Sequence, residues 1–247
     1  MPGAADDYDR MGEAYAAHAD EGAVNSLYDR PAMLALAGDV RGRRVLDVGC
    51  AAGALTAALV ERGADVLGID ASAAMIAIAE RRLGGRAAFR VADLAAPLDF
   101  VPAASVDVVT ASLVLHYLQD WVPALRELHR ALAPDGRLVL STHHPGEDWR
   151  WFDRPDYFAV EPITDTFPTA AGPAEVHFWR RPLSAVFAAV RDAGFQVDEL
   201  AEPMPLPECR ERDPRVWTLL TTRPRFLYLR LVRRRRSWRP RRAGSAS

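Results

Sequence analysis

The chain has 247 residues, 49% of them apolar and 26% charged, which fits one large domain with a full core and excludes global disorder. Its two cysteines, Cys50 and Cys209, lie far apart without a C-x-x-C or Cys/His ligand pattern, which argues against a disulfide framework or structural zinc and fits a reducing compartment. The net charge of −2 hides an asymmetry: 33 acids face 21 arginines before residue 223, while ten arginines and no acid follow, and lysine is absent throughout. The acidic start MPGAADDYDR has no leader-like apolar core, and no run of about 18 apolar residues occurs, so no membrane span is read and the expected location is cytoplasmic.

In chain order, YDRMGEAYAAHAD and SLYDRPAMLALAGDV read as helices, the second stopped by Gly38, giving an N-terminal helical cap over residues 1–40. Strands and helices then alternate. RRVLDVG is a strand, ALTAALVERG a helix, ADVLGID a strand, and SAAMIAIAERRLGG a helix with Ser72 as N-cap. RAAFRVAD and SVDVVTAS are further strands. DWVPALRELHRALAPDG reads as a helix from Asp120 to Pro134, followed by the strand GRLVLSTHH. Near-continuous Val/Leu/Ile strands separated by helices indicate a doubly wound, Rossmann-like α/β domain over 41–144 and 180–232, with a mostly parallel sheet covered on both faces. The alternation breaks at residues 145–179, where eight aromatics sit among prolines and turn residues. YFAVEPITDTF and AEVHFW are spaced to pair across TAAGPA, so this insertion after the fifth strand is expected to be a lid. RPLSAVFAAVRDAG and FQVDELAE resume the pattern, and a Pro-rich connection leads to the last strand, FLYLRLV. Residues 233–247 form a basic tail expected to be disordered.

The stretch VLDVGCAAGALT carries the first chemical signal. A glycine turn between strand and helix offers free backbone N–H groups and lets a ligand approach closely. The dinucleotide fingerprint is not met: Gly49 and Gly53 fit, but positions 51 and 54 are alanines, and Asp47 in the strand would repel a pyrophosphate. Asp70 ends the second strand, where a carboxylate accepts both hydroxyls of a ribose. Asp93 follows the third, placed to accept from an adenine amino group or merely to cap a helix. Three acids at successive carboxyl ends of parallel strands face one crevice. An amino acid head, a ribose and an adenine without phosphate satisfy all three, and S-adenosyl-L-methionine is such a ligand.

DVGCAAG, GID, VADL, VVTASLVLHYL and LAPDGRLVLS, in that order, resemble the class I S-adenosylmethionine-dependent methyltransferases over roughly Arg43 to Thr142 and the last two strands. The resemblance implies a seven-stranded sheet with an antiparallel last strand, which FLYLRLV supplies. It implies S-adenosyl-L-methionine as cofactor, S-adenosyl-L-homocysteine as product, and in-line methyl transfer as the reaction. One departure is visible, since the middle glycine of the family motif is Ala51. The expected cofactor residues are Asp47, Gly49, Ala51, Gly53, Asp70 with Ala71, Asp93 with Leu94, Ser112 at the methionine end, and Tyr15 from the N-terminal helix. Tyr8 and Tyr28 share that helical spacing and read equally well as helix surface residues. Cys50 reads as a small buried filler.

Histidines are the natural candidates to take the acceptor's proton. His116 follows the fourth strand, and His143 and His144 follow the fifth, all at the carboxyl edge of the sheet. Adjacent residues point to opposite sides, so at most one of the pair His143/His144 faces the pocket. Each also has a packing alternative. His18 and His129 fall in helices and read as solvated or packed, and His177 lies in the lid. Arg180 and Arg181 precede the helix after the lid and could pair with an anionic substrate, with solvated charge the simpler reading.

Metal-dependent family members carry acids and an asparagine after the fourth strand; ASLVLHYLQD has no such set, so no metal is expected. The Asn/Asp-Pro-Pro-aromatic motif of nucleic-acid amino-methyltransferases is also missing. The acceptor is therefore expected to be a small molecule rather than nucleic acid, and the aromatic density of the lid suggests a planar or apolar one, with an ordinary hydrophobic minicore beneath a hairpin as the alternative. Two rivals stand beside this reading: an RNA methyltransferase using the LVRRRRSWRPRR tail, and a cofactor-binding scaffold without turnover.

Overall fold

The computed structural model describes residues 22–169 and 172–234, together with Asp9, Gly12 and Ala16. A π-helical turn, Asn25–Asp29, leads into α1 (Arg30–Ala37), with Pro31 in its first turn and Gly38 closing it at φ 66°. There follow β1 (Arg44–Val48), α2 (Ala54–Glu61), β2 (Asp65–Asp70), α3 (Ala73–Leu83), β3 (Ala88–Val91) and β4 (Val106–Ser112). The second half holds α4 (Val122–Ala131), β5 (Leu132–His143), α5 (Pro145–Trp151), β6 (Glu161–Thr169), β7 (Gly172–Arg180), α6 (Leu183–Asp192) and β8 (Phe195–Ala201). Two short helices, α7 (Glu208–Arg212) and α8 (Pro214–Thr222), precede β9 (Phe226–Arg233).

Seven strands form one sheet in the order β3-β2-β1-β4-β5-β9-β8, and β6 and β7 pair separately as a hairpin. β9 runs antiparallel to β5 and to β8, while the other pairings are parallel. This is the doubly wound, mostly parallel sheet that the strand spacing implies, with the antiparallel last strand that the family resemblance implies. The order reverses between β1 and β4, and a ligand crevice opens beyond the carboxyl ends of the strands at such a reversal.

The apolar runs explain why the sheet is covered on both faces. Val45, Val66, Val108 and Val139 pack under α1 and α2, with Met33, Leu36 and Leu59. Their strand neighbours Leu46, Val109 and Leu140 point the other way into a second core, with Leu125 and Leu128 of α4 and Val186 and Val190 of α6. Each fully buried aliphatic side chain contributes about 1.5–3 kcal/mol, so both layers are strongly held. The hairpin has its own small core of Ile163, Val176 and Phe178, against which Tyr117 and Phe152 pack.

The structure departs from the sequence expectations at several points. α4 ends at Ala131 rather than Pro134: Leu132 is already extended at ψ 138° and pairs with Val106. A proline has no N–H to donate and disfavours helix in the residue before it, so the helix stops early. The insertion opens with a helix, α5, which the sequence pattern does not announce, and His144 caps it. The Pro-rich connection folds into α7 and α8, the latter capped by Asp213, whose Oδ1 accepts from Arg215 N (3.1 Å) and Val216 N (3.0 Å).

Arg180 and Arg181 are buried rather than solvated. Arg180 donates to Glu161 Oε1 (2.8 Å), to Tyr157 O (3.1 Å) and to Asp156 O. Arg181 donates to Leu118 O (2.5 Å) and stacks on the Trp121 ring at 4.5 Å. Tyr28 lies in the core, stacked on Phe226 at 5.8 Å, and not on a helix surface. Tyr8, Tyr15, His18 and all but the first two residues of the basic tail lie outside the described residues. No helix among the described residues is long and apolar enough to cross a membrane.

Candidate functional site

A cavity of about 360 Å³ opens at the reversal point. Its floor is the turn after β1. Gly49 (φ 66°) has no room for a side chain, because a Cβ there would lie 2.5 Å from Val114 Cγ2. Ala51 takes the same left-handed region, φ 46°, at a cost of about 1–2 kcal/mol for an L-residue. What holds it there is visible: Asp70 Oδ2 accepts from Ala51 N, and Asp70 Oδ1 accepts from Ser72 N, each at 2.9 Å. One carboxylate thus ties the end of β2 to the glycine turn and to the start of α3. Ser72 caps α3 through Met75 N (3.2 Å), and its hydroxyl donates to Asp9 of the N-terminal segment at 2.5 Å.

Of the residues expected to bind cofactor, Asp47, Gly49, Ala51, Asp70, Ala71, Asp93, Leu94 and Ser112 line this one cavity. Gly53 does not. Its φ of 79° turns the chain into α2, and its Cα faces α3, where a Cβ would sit 3.1 Å from Ala79 and Leu83. Asp93 Oδ1 accepts from Ala95 N (2.8 Å), closing the turn after β3 with its side chain at the rim. Asp47 is 1% exposed, and both of its oxygens are engaged, by Thr56 Oγ1 (2.6 Å) and Thr110 Oγ1 (2.7 Å).

Three cavity residues beyond that set carry chemistry. Asp29, from the π-turn, accepts at Oδ2 from Ser112 Oγ (2.6 Å), and Arg30 beside it also lines the cavity. Tyr117 lines it from the 3-10 turn Leu115–Tyr117 after β4. Asp29 had a legible signal: it falls on the apolar stripe of its helix, with Met33 four and Leu36 seven residues on. A lone acid there is either misplaced or used.

Burial dominates the electrostatics. It pushes Asp47 up to about 6, against the two threonine hydroxyls, and pushes Asp29 and Asp70 above the usual carboxylate range against their hydrogen bonds. Three such acids bordering one cavity favour a ligand that brings positive charge. Asp70 also keeps lone pairs beyond its two backbone bonds, which suits the hydroxyls of a ribose. The donor set therefore fits S-adenosylmethionine and opposes a phosphate-bearing nucleotide.

The histidines lie one layer away, and none of the three lines the cavity. His116 is 3% exposed, and its ring stacks on His143 at 4.3 Å and packs beside Tyr117, also at 4.3 Å. Phe178 of the hairpin meets both imidazoles edge-on, at 5.5 and 4.6 Å. Burial, with His143 and Arg181 adding to it, holds His116 well below the usual imidazole value. His143 Nδ1 lies 3.4 Å from Asp148 Oδ1. His144 turns away: its Nδ1 accepts from Gly146 N (3.2 Å), and its Nε2 lies 3.3 Å from Glu202. No cluster of three or more metal-binding side chains occurs among the described residues.

Comparison with known proteins agrees with this geometry. A methyltransferase domain family matches residues 46–140. Over 182 residues the chain is 36% identical to the nocamycin O-methyltransferase of Saccharothrix syringae, a match covering 67% of this chain and 64% of that enzyme. Over 162 residues it is 32% identical to the ubiquinone biosynthesis O-methyltransferase of Pseudomonas paraeruginosa, covering 64% and 67% respectively. Against several other ubiquinone biosynthesis O-methyltransferases the match spans less than half of the relative's length. The crystal structure of an S-adenosylmethionine-dependent methyltransferase from Mesorhizobium loti superposes with a TM-score of 0.65 at 27% identity, over 87% of this chain and all of that one. An acid-lined crevice at the reversal point of this fold, the methyltransferase domain match and the methyltransferase relatives agree: the chain belongs to the class I S-adenosylmethionine-dependent methyltransferases, and S-adenosylmethionine is its cofactor.

Proposed function

We propose that this enzyme methylates a hydroxyl oxygen of a small, planar or largely apolar organic acceptor. The observation that carries the reading is the contact between the hairpin core and Tyr117. That residue borders the cofactor cavity, so the aromatic cover closes over its methyl end and limits the space beyond it. Two O-methyltransferase relatives support oxygen as the acceptor atom.

When bound, S-adenosylmethionine supplies an electrophilic methyl group. In this reading Asp70 takes the ribose, Asp93 the adenine amino group, and the Gly49–Ala51 turn the backbone contacts. Tyr117 and the hairpin exclude water and align the acceptor, which is the main source of acceleration in such a displacement. In this reading His143 takes the acceptor's proton; since it stands outside the cofactor cavity, the acceptor's hydroxyl lies beyond Tyr117, on the hairpin side. Asp148 Oδ1 faces its Nδ1 at 3.4 Å, and the neutral His116 fixes the stack from behind. His144, committed to α5, takes no part.

The test is transfer of labelled methyl from S-adenosylmethionine to a panel of phenols, catechols and enols, with bulk RNA alongside. Label in a small hydroxylated acceptor is expected, with kcat reduced about 100-fold in His143→Asn and cofactor affinity unchanged. Label in RNA alone would overturn the reading.

A further inference from the structure

We propose that Asp29, acting with Ser112, is the seat of the cofactor's α-ammonium group, in place of the strand acid Asp47. The argument begins with what each carboxylate has left to offer. Asp47 and Asp29 stand beside the same face of β4, one served by Thr110 and the other by Ser112 two residues on. Asp47 has a hydroxyl on each oxygen, and one of them, Thr56, is fully buried in α2. Asp29 has one such bond. Its Oδ1 is buried without a hydrogen-bond partner, and the Tyr228 hydroxyl is buried and unpartnered as well. Ser141 and Tyr228 lie close enough to favour the Asp29 charge without meeting Oδ1 at full hydrogen-bond geometry, so the charge that Asp29 keeps reaches the cavity through Ser112.

The direction of the Ser112 bond adds the second half. Ser112 donates its only hydroxyl proton to Asp29 at 2.6 Å, so its oxygen can present only lone pairs to the cavity that both residues line. A serine in that state, backed by a carboxylate, is an acceptor for a cationic N–H. It stands next to Leu113, held at φ 49° by Ser141, whose Oγ accepts from Leu113 N at 3.1 Å. Strained backbone beside a cavity marks a position that the surrounding structure fixes. Asn25 and Arg30 border the same end, which suits a ligand group carrying a carboxylate beside its ammonium. A bound cation would also return to Asp29 the charge that burial disfavours.

This assignment rests on the S-adenosylmethionine reading of the cavity, but it is tested by binding alone, so a wrong acceptor class leaves it standing. The experiment is calorimetry of S-adenosylhomocysteine, its decarboxylated amine analogue and 5′-methylthioadenosine, which lacks the amino acid, against the full chain and Asp29→Asn. The variant keeps the shape of the side chain and an acceptor for Ser112. Loss of a charged hydrogen bond predicts affinity about 10- to 100-fold weaker for the two amine-bearing ligands. The methylthioadenosine affinity should stay within about twofold, which also reports that the variant is folded. Ser112→Ala is expected to weaken the same two ligands, by a smaller factor of about three to ten. Equal weakening of all three ligands by Asp29→Asn would reduce Asp29 to a structural role and overturn the proposal. So would selective weakening of the amine-bearing ligands by Asp47→Asn with none from Asp29→Asn. Wild-type protein that bound methylthioadenosine as tightly as S-adenosylhomocysteine would overturn it as well.

Discussion

Asp47 illustrates how one buried carboxyl sets both a ligand preference and a pH dependence. Its ordinary value of 3.8 is pushed up to about 6 by burial. The stability linked to its protonated form is complete below the unfolded-chain value and is lost as pH rises through 6, about 3 kcal/mol in total. Asp47→Asn removes that loss. Its melting temperature relative to wild type should therefore rise between pH 4 and pH 7.5 by an amount equivalent to about 3 kcal/mol. A difference that stayed flat with pH would show that the native carboxyl titrates normally. Asp47, Asp70 and Asp93 could be found in sequence because each ends or follows a strand, and strand ends share an edge of the sheet. Asp29 could not be placed at the cavity that way: it meets Ser112 across 83 residues of chain, a proximity that only the packing of α1 against β4 and β5 creates.

Among the elements, the sheet was readable because its strands are continuous apolar runs bounded by glycine turns. The hairpin was readable as a pairing, but not its fastening. Two adjacent arginines after an aromatic strand look like surface charge, yet their guanidinium groups meet backbone carbonyls that no sequence pattern announces. Arg180 bonds the return strand to residues 156, 157 and 161 at the entry to the hairpin. Arg180→Ala leaves those acceptors without their donor, at a cost of about 2 kcal/mol, tempered because Glu161 is part-exposed. Hydrogen exchange should report opening of β6 and β7 about 30-fold more frequent, with β1 and β4 unchanged. Uniform loss of protection across the sheet would mean that the hairpin is not a separate unit of stability. The helices α7 and α8 were hidden by proline content, although Asp213-Pro214 was a helix start in plain view.

For the molecule as a whole, the three raised carboxyls imply that burying these acids carries a cost, which a cationic ligand offsets. S-adenosylhomocysteine at about 100 times its dissociation constant should add about 2.7 kcal/mol and raise the melting temperature by about 5–10 °C. A shift under about 2 °C at that saturation would mean that the ligand also binds the unfolded chain or a partly open form.

The separateness of the hairpin core has a consequence for how such an enzyme changes over time. Ile163, Val176 and Phe178 share no buried cluster with the two sheet layers, and Tyr117 joins them to the cavity. Arg180 closes the insertion onto its own beginning, and Arg181 pins its exit to the carbonyls of Leu118 and Gln119. Substitutions in the insertion ahead of those two arginines are held within its own small core and leave the two sheet layers untouched. If the insertion covers the acceptor as proposed, acceptor preference is free to drift independently of cofactor affinity, and the pair of arginines marks where a cut should be made by anyone exchanging one specificity for another.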